Sequence, residues 1–464
     1  MRGIISAAGY VPHWRLQRSA IGTFHGGRGA PGARAVASYD EDSTTLAVEA
    51  ARPALADAGP DAVPAVLLFA SASPTYLEKT NATVIHAALQ LPASTAAYDA
   101  GGAVRSGIGS LRAALDSTLT TLVAAGELRT GMPNGADETA GGDAGAALVV
   151  GDGDAVIAEY LGAASATREF LDRWRTPGEL RTKQWEEKFG ENNYVALSGA
   201  AWADALASAG LSAEDVTAAI VVGPHSRAVG AVRKRLGLPA SVEVAKEIGS
   251  AGAAEAALHL AAQLDVADPG DVIALVALSD GADVVLFRAT DAISAHRPSR
   301  PVQAQIDAGD DSLPYAKYLA WRAVMAPEPP RRPEPARVSA SAAGRSVEWK
   351  YGFVGSRDRS SGAVHLPPAR VSFDGGAVDD MERIPMADVL GTVVTLTVDR
   401  LAYSPSPPVI FAVVDFDGGG RLPLELTDAR PEQVAVGSRV EMTFRRLNSA
   451  DGIANYFWKG RVVP

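Results

Sequence analysis

The chain has no cysteine and seven histidines. Any covalent or proton-moving chemistry must therefore rest on groups other than a thiol, such as hydroxyls, carboxylates, imidazoles and amines, with disulfides and thiolate metal sites excluded. His225, in VVGPHSRAVGAVRKRLG, follows an apolar run that reads as a buried strand. A neutral imidazole in that place can donate to an oxygen or act as a base. The other six, His13, His25, His86, His259, His296 and His365, fall at no metal-ligand spacing and read as structural. Ser279-Asp280-Gly281-Ala282 reads as a tight turn between two apolar runs, and Tyr76, Tyr98 and Tyr194 are candidate phenol acids. Asp358 and Ser361, then Ser372 and Gly375, stand at the paired spacing of a four-thiolate zinc ribbon, with ten residues between the pairs. Oxygen ligands so few and so weakly charged do not suit Zn²⁺. Zinc is not expected, and the segment reads as a metal-free hairpin packed by Leu366, Pro367, Pro368 and Val371.

The elements that must position these groups fall into two patterns. Up to about residue 297, Val/Leu/Ile-rich runs such as PAVLLFASA (64–72), AALVVGDG (146–153), AAIVVGPHS (218–226), DVIALVALS (271–279) and DVVLFRA (283–289) alternate with Ala-rich stretches of helical period. That alternation predicts an α/β layer fold with helices covering a buried sheet. The order of elements in 1–160 recurs in 195–290, which predicts an internal duplication. Residues 326–348 open with Pro clusters and small residues and read as a linker. From 349 the pattern is all-β, with five strands at 391–402, 408–418, 421–428, 438–447 and 453–463 that suit a small closed barrel. The expected domains are thus 1–325, a linker at 326–348, and 349–464.

Composition bounds the function. Of 464 residues, 47% are hydrophobic and 21% charged, as in a globular protein. The 43 basic against 54 acidic side chains leave a formal charge of −11, a poor match for a phosphate backbone, so no nucleic-acid partner is expected. No signal peptide or membrane-length apolar run is visible, so a cytoplasmic location and no membrane partner are expected. The aromatic run Asn455-Tyr456-Phe457-Trp458-Lys459 reads as packing rather than base stacking.

Several motifs in order carry a resemblance to a known superfamily. GYVPHWRL, YDEDSTTLAVEAA, FLDRWRTPGE, EIGSAGAAEAALHLAAQLDVADPGD and ALSDGADVVLF resemble 3-hydroxy-3-methylglutaryl-CoA synthase and ketoacyl synthase III of the thiolase superfamily. WKYGF, HLPPARV, GTVVTLTVDRLAYSPSPPV, VDFDGGGR and NYFWKGR resemble the acyl-CoA-associated zinc-ribbon/OB-fold domain that accompanies such enzymes. The resemblance implies a duplicated five-layer α/β fold followed by an OB-fold barrel, a homodimer, and an acyl-CoA or acyl-carrier-protein thioester as substrate. It implies no permanently bound cofactor.

Carried over position by position, the resemblance also shows what this chain lacks. AYDAGGAVRSGIGSL (97–111) resembles the strand-to-helix elbow of the nucleophilic thiol and places Val104 there, a side chain that cannot be acylated. The general-base glutamate falls at Ala72, and the asparagine of the second oxyanion site at Ser250, whose hydroxyl can still donate. His225 takes the place of the family histidine, and the backbone around Gly281 that of donors to the thioester carbonyl. Arg105 and Arg227 replace small or uncharged residues and are candidates for pairing with an acidic group on a substrate, with solvent or a neighbouring carboxylate as the alternative partner. Two functions stay open: a transferase or aldolase-type lyase working without a cysteine nucleophile, or a non-catalytic scaffold or partner subunit.

Overall fold

A computed structural model of the chain describes residues 1–296, 298–375 and 378–463. They form two compact units, one of residues 1–37, 42–83 and 92–318, the other of residues 38–41, 84–91 and 319–464. No helix among the described residues is long and apolar enough to cross a membrane.

The first unit is built on strands β1 (Arg2–Tyr10), β2 (Val66–Ser71), β3 (Ala96–Gly101), β4 (Thr121–Glu127), β5 (Ala144–Asp152), β6 (Ala158–Thr167), β7 (Ala218–Val222), β8 (Val272–Leu278) and β9 (Gly281–Ala289). Their order across the sheet is β7-β8-β9-β6-β1-β5-β4-β2-β3. The left part, read outward from β6, is β6-β9-β8-β7, and the right part, read outward from β1, is β1-β5-β4-β2-β3. Each part begins with its first strand beside its last, then its next-to-last and then its second, with β3 added at the outer edge of the right part, which is the duplication in three dimensions. At the junction β1 pairs with β6 through Gly3 with Glu159 and Ile4 with Ala158.

The repeat begins at β6, well before the boundary of 195 read from the sequence. Residues Ala158–Thr167 are only partly buried along most of their length and contain no Val or Ile, so period and composition did not mark them as a strand.

Two helices lie between the sheet parts, α2 (Ser106–Asp116) and α5 (Glu255–Leu264), while α1 (Ser43–Ala58) and α3 (Glu187–Ala209) cover the outer faces, with α4 (Ser226–Leu236) packed beside α3. The strands show why. Ile273, Leu275 and Ala277 of β8 point into one core with Leu111, Leu115, Leu258 and Leu260, whereas Val272, Ala274, Val276 and Leu278 point into another with Leu197, Ala201 and Trp202. Strand side chains alternate between faces, so a run apolar at every position is a strand with helices on both sides. The result is the five-layer α/β arrangement. Helix α1 starts on Asp42, whose carboxylate accepts from the N–H of Thr44 and Thr45 while the Thr45 hydroxyl accepts from the Asp42 N–H.

In the second unit, β10 (Gly391–Asp399), β11 (Val409–Phe416), β12 (Arg421–Thr427), β13 (Arg439–Ala450) and β14 (Ile453–Val462) close a barrel in the order β10-β11-β12-β14-β13. It is the small β-barrel expected from the strand spacing. The stretch 326–348 is not extended throughout, since Ala340–Arg345 forms a helix and Val347–Lys350 begins another. Ahead of the barrel, Val354–Asp358, Val364–His365 and Met381–Pro385 form a three-stranded sheet. There the Asp358 carboxylate accepts from the hydroxyls of Ser360 and Ser361, both at 2.8 Å, and His365 meets the Ser372 hydroxyl at 3.3 Å. Val371, expected to pack this segment, is instead exposed beside Phe373, because it stands outside the three paired strands.

The second unit also holds a cluster of charges whose side chains are fully buried except for Glu425, which is 29% exposed. Arg445 lies 3.3 Å from Asp40, 2.9 Å from Glu41 and 2.6 Å from Asp428, and Lys459 lies 2.9 Å from Asp40 and 2.7 Å from Glu425. Burial alone would raise the Asp40 carboxyl, but Lys459 and Arg445 hold it down at about 2. Removing one partner of such a network strands the others without water or counter-charge. Arg445→Ala is expected to destabilise the chain by about 3–5 kcal/mol, read from urea unfolding. A loss below about 1 kcal/mol, the value of an exposed pair, would show that water reaches these carboxylates.

Candidate functional site

The elbow expected at 97–111 forms where β3 ends at Gly101 and α2 starts at Ser106. Gly102, with φ of 96°, makes the turn. Val104 sits partly exposed at the head of α2 and lines a cleft of about 230 Å³ with Ala72, Arg129, Arg173, Arg175, Tyr194, Ser279 and Asp280. A larger outer cleft of about 740 Å³ shares Ala72, Gly102 and Arg175 with it and is walled by Tyr76, Asp99 and Leu180. A smaller chamber of about 100 Å³ shares Arg129, Arg173 and Pro224 and is walled by His225, Arg227 and Ser250. The three spaces are neighbours along one groove.

His225 is not a free base. Its Nδ1 accepts from the Ala228 N–H at 3.2 Å, which caps the helix Ser226–Leu236, and its Nε2 lies 3.0 Å from the Glu187 carbonyl oxygen. With Nδ1 accepting, Nε2 carries the proton and donates it to that carbonyl, so both nitrogens are engaged. Arg227 at the rim is spent on a surface pair, 2.7 Å from Glu187.

Arg105 turns away from the clefts. Its Nε donates to Asp283 at 2.9 Å, its Nη1 to the Asp280 carbonyl at 2.8 Å and its Nη2 to the Thr167 hydroxyl at 2.9 Å. The guanidinium lies against Gly281, where a Cβ would meet Arg105 Nη1 at 2.6 Å. Gly281 is therefore buried under a protein cation, while Ser279 and Asp280 of the same turn face Val104. The Asp280 N–H donates to the Tyr194 hydroxyl at 3.4 Å. Tyr194 is buried, and burial first, then the Asp172 carboxylate, raise its pKa far above the ordinary phenol range. Tyr98 stands on the outer edge strand β3, 58% exposed, and lines none of these clefts.

Ser250 is where chemistry gathers. Its hydroxyl donates to Glu255 Oε2 at 2.7 Å. Glu255 opens the central helix α5, and burial pushes its carboxyl from an ordinary 4.5 up to about 7, against the weaker pull of the Ser250 hydrogen bond and Arg129. A second buried carboxyl, Glu127 at the end of β4, accepts from the Ala72 N–H at 2.8 Å and is likewise raised by burial. The sequence reading singled out neither glutamate. The signal was there: Glu127 closes the apolar run TLVAAGE and Glu255 interrupts AGAAEAALHLAA, and an isolated charge inside a buried stretch needs a partner or a function. Of the remaining histidines, His259 is buried in α5, where burial and then Arg233 push it down to about 4. Among the described residues, no group of three His, Cys, Asp or Glu is placed to hold a metal.

The chain is similar to known proteins in sequence and in fold. The family model described as the ChsH2 C-terminal OB-fold domain matches residues 385–445. Among solved structures, the chain is similar to an HMG-CoA synthase complexed with CoA, at 18% identity and a TM-score of 0.60 over 68% of this chain and 89% of that one. It is also similar to 3-oxoacyl-(acyl carrier protein) synthase III, FabH, from Pseudomonas aeruginosa PAO1, at 20% identity and a TM-score of 0.54 over 62% and 98%. Fold and elbow thus define a thiolase-like synthase domain followed by an OB-fold domain. In sequence, the hydroxymethylglutaryl-CoA synthase of Methanopyrus kandleri is 30% identical over 345 residues, 69% of this chain and 97% of that relative. The chain belongs to the hydroxymethylglutaryl-CoA synthase family.

Glu255 makes a prediction about stability. Folding raises its pKa, so between 4.5 and about 7 the folded chain keeps a proton that the unfolded chain releases, and stability falls as pH rises through that window. Glu255→Gln removes this slope. The variant is expected to gain Tm relative to the parent as pH rises across the window, followed by thermal unfolding in matched buffers. A constant Tm difference at every pH would show that Glu255 titrates normally.

Proposed function

We propose that the chain binds an acyl-CoA or acyl-carrier-protein thioester in the groove beside Val104 and acts on it as a transferase or carbon–carbon lyase, with no acyl-enzyme intermediate. One observation carries this reading. The elbow still opens on a cleft with Val104 in its wall, and that cleft is not filled by Arg105, which a scaffold could have used to plug it. The valine has no group to be acylated, so the thioester stays on its carrier throughout.

The Ser250–Glu255 pair supplies what proton movement needs. A carboxyl held near 7 exchanges its proton at neutral pH, and the Ser250 hydroxyl, hydrogen bonded to it and facing the inner chamber, carries that proton to or from the carbon or oxygen next to the thioester carbonyl. Arg129, which faces both the Val104 cleft and the inner chamber, is placed to balance negative charge that develops on an enolate or tetrahedral oxygen. His225 then acts as a wall and helix cap. We also take the exposed edge strand β3, with Tyr98, as the face through which two copies pair.

The test is incubation with a panel of acyl-CoAs, following products by mass spectrometry and the protein by intact mass. Small-molecule product without protein adduct is expected, with Ser250→Ala and Glu255→Gln each lowering kcat by about 10²-fold, the usual contribution of general acid–base catalysis, and leaving acyl-CoA affinity in place. A stable acyl adduct on the chain would contradict the non-covalent mechanism. Failure of every thioester to bind would favour a non-catalytic scaffold. Val104→Cys alone is expected not to create condensing activity, because Ala72 and Ser250 also stand where the family carries a glutamate and an asparagine.

A further inference from the structure

We propose that the substrate is a β-hydroxyacyl thioester and that Tyr194, backed by Asp172, takes the proton from its hydroxyl while the adjoining carbon–carbon bond breaks. The inference rests on the thioester reading above and selects its lyase form. Tyr194 lines the Val104 cleft together with Ser279 and Asp280. Its hydroxyl accepts from the Asp280 N–H at 3.4 Å and shares a hydrogen bond with the Asp172 carboxylate.

The carboxylate is built into this place. Asp172 and Tyr194 are only 3% and 1% exposed, and Gly190, in the first turn of α3, makes the room for them. A Cβ on Gly190 would collide with the Asp172 carboxylate and come within 2.9 Å of the His225 ring. Glycine weakens a helix, and here that loss seats an acid. Phe170 and His225 hold the Tyr194 ring edge to face, with ring centres 5.1 and 6.0 Å away. Arg173, next to Asp172 in the chain, gives its ion pair to Asp137 instead. Burial raises the Asp172 carboxyl, with His225 and then the Tyr194 hydrogen bond pulling the other way, so Asp172 is a better proton acceptor than an exposed aspartate.

A phenol held between a carboxylate and a cleft can receive a proton from a ligand as it passes its own to the acid. The Ser250–Glu255 pair lies by the inner chamber, which shares Arg129, Arg173 and Pro224 with this cleft, and it holds a proton to give. One acceptor and one donor along a single groove are what a retro-aldol step requires. The β-hydroxyl proton goes to Tyr194 as the Tyr194 proton goes to Asp172, and the β-carbon–oxygen bond becomes a carbonyl. The bond between the α and β carbons breaks, and its electron pair passes into the enolate of the thioester left on its carrier. The Glu255 proton, carried by Ser250, then lands on the α carbon. The products are an aldehyde or ketone and a shorter acyl thioester, with no oxidant or reductant consumed. Solvent returns a proton to Glu255 and removes one from Asp172.

The experiment follows two reactions of the full-length chain. Cleavage of 3-hydroxybutyryl-CoA and of 3-hydroxy-3-methylbutyryl-CoA is read by trapping the released acetaldehyde or acetone, and exchange at the α carbon is read as deuterium uptake by acetyl-CoA in D₂O. The parent is expected to exchange acetyl-CoA and to cleave at least one of the two β-hydroxyacyl-CoAs. In Tyr194→Phe, cleavage is expected to fall about 10²-fold relative to exchange, the scale of a general acid–base contribution. Asp172→Asn is expected to move the same ratio in the same direction, with thermal unfolding as a check on folding. A structural Tyr194 would lower both reactions together, and that result, or undiminished cleavage in Tyr194→Phe, would overturn the inference. Cleavage of neither β-hydroxyacyl-CoA by a parent that still binds acyl-CoA would overturn it while leaving the thioester reading intact. No binding of any thioester would overturn both.

Discussion

The candidate site depends on one close backbone approach. Gly107, in the first turn of α2, lies directly against the backbone of Ala253, just ahead of α5, so that a Cβ on Gly107 would collide with the Ala253 carbonyl. No other residue type fits there. Because the elbow of Val104 lies three residues before Gly107 and Ser250 three residues before Ala253, this contact fixes the two turns, one from each half of the duplicated sheet, at the same groove. Similar approaches recur around it, Gly142 against the Ile248 carbonyl and Gly126 against the Ser43 carbonyl. Small residues at these places let the layers sit closer than side chains would allow, and precision at the groove follows from rigid elements rather than from loops.

Around that fixed frame the polar side chains are held by partners within the protein. An elbow built to expose a reactive side chain exposes an aliphatic one. The histidine beside it has both nitrogens tied to backbone groups, and the arginine that follows Val104 is locked onto Asp283. The ionisable groups that remain adjustable lie deeper, at Glu255 and Glu127, where burial rather than a neighbouring charge sets their protonation. Such carboxyls cost stability at neutral pH. Their position next to Ser250 and Ala72 gives that cost a use in proton transfer, which is how active sites commonly depart from the stability optimum.

Much of the architecture was legible in the sequence because it follows from period and punctuation. Apolar runs ended by Gly, Ser or Asp became β2, β5, β7, β8 and β9 nearly at their expected bounds, and the five C-terminal runs closed into a barrel. What escaped was set by distance in the chain or by weak composition. Strand β6 has no Val or Ile and is partly exposed along most of its length, so the repeat seemed to start later. The pairing of Asp40 with Arg445 joins positions 405 residues apart, and no local pattern announces it. The site shows the same division. The elbow was found from its residues, whereas the tautomer of His225, the diversion of Arg105 and the raised carboxyl of Glu255 are consequences of packing that a linear reading does not contain.

The central claim is that an acyl thioester still enters the groove at Val104 although the valine itself cannot be acylated. The most direct measurement is the affinity of an unreactive acyl-CoA thioether for the parent chain and for a folded Val104→Trp variant, whose indole would occupy the Val104 cleft of about 230 Å³. The account predicts measurable binding to the parent and a loss of about 100-fold or more in the variant, as expected when a side chain takes the ligand's place in a packed site. Equal affinity for both would place the thioester elsewhere and contradict the account.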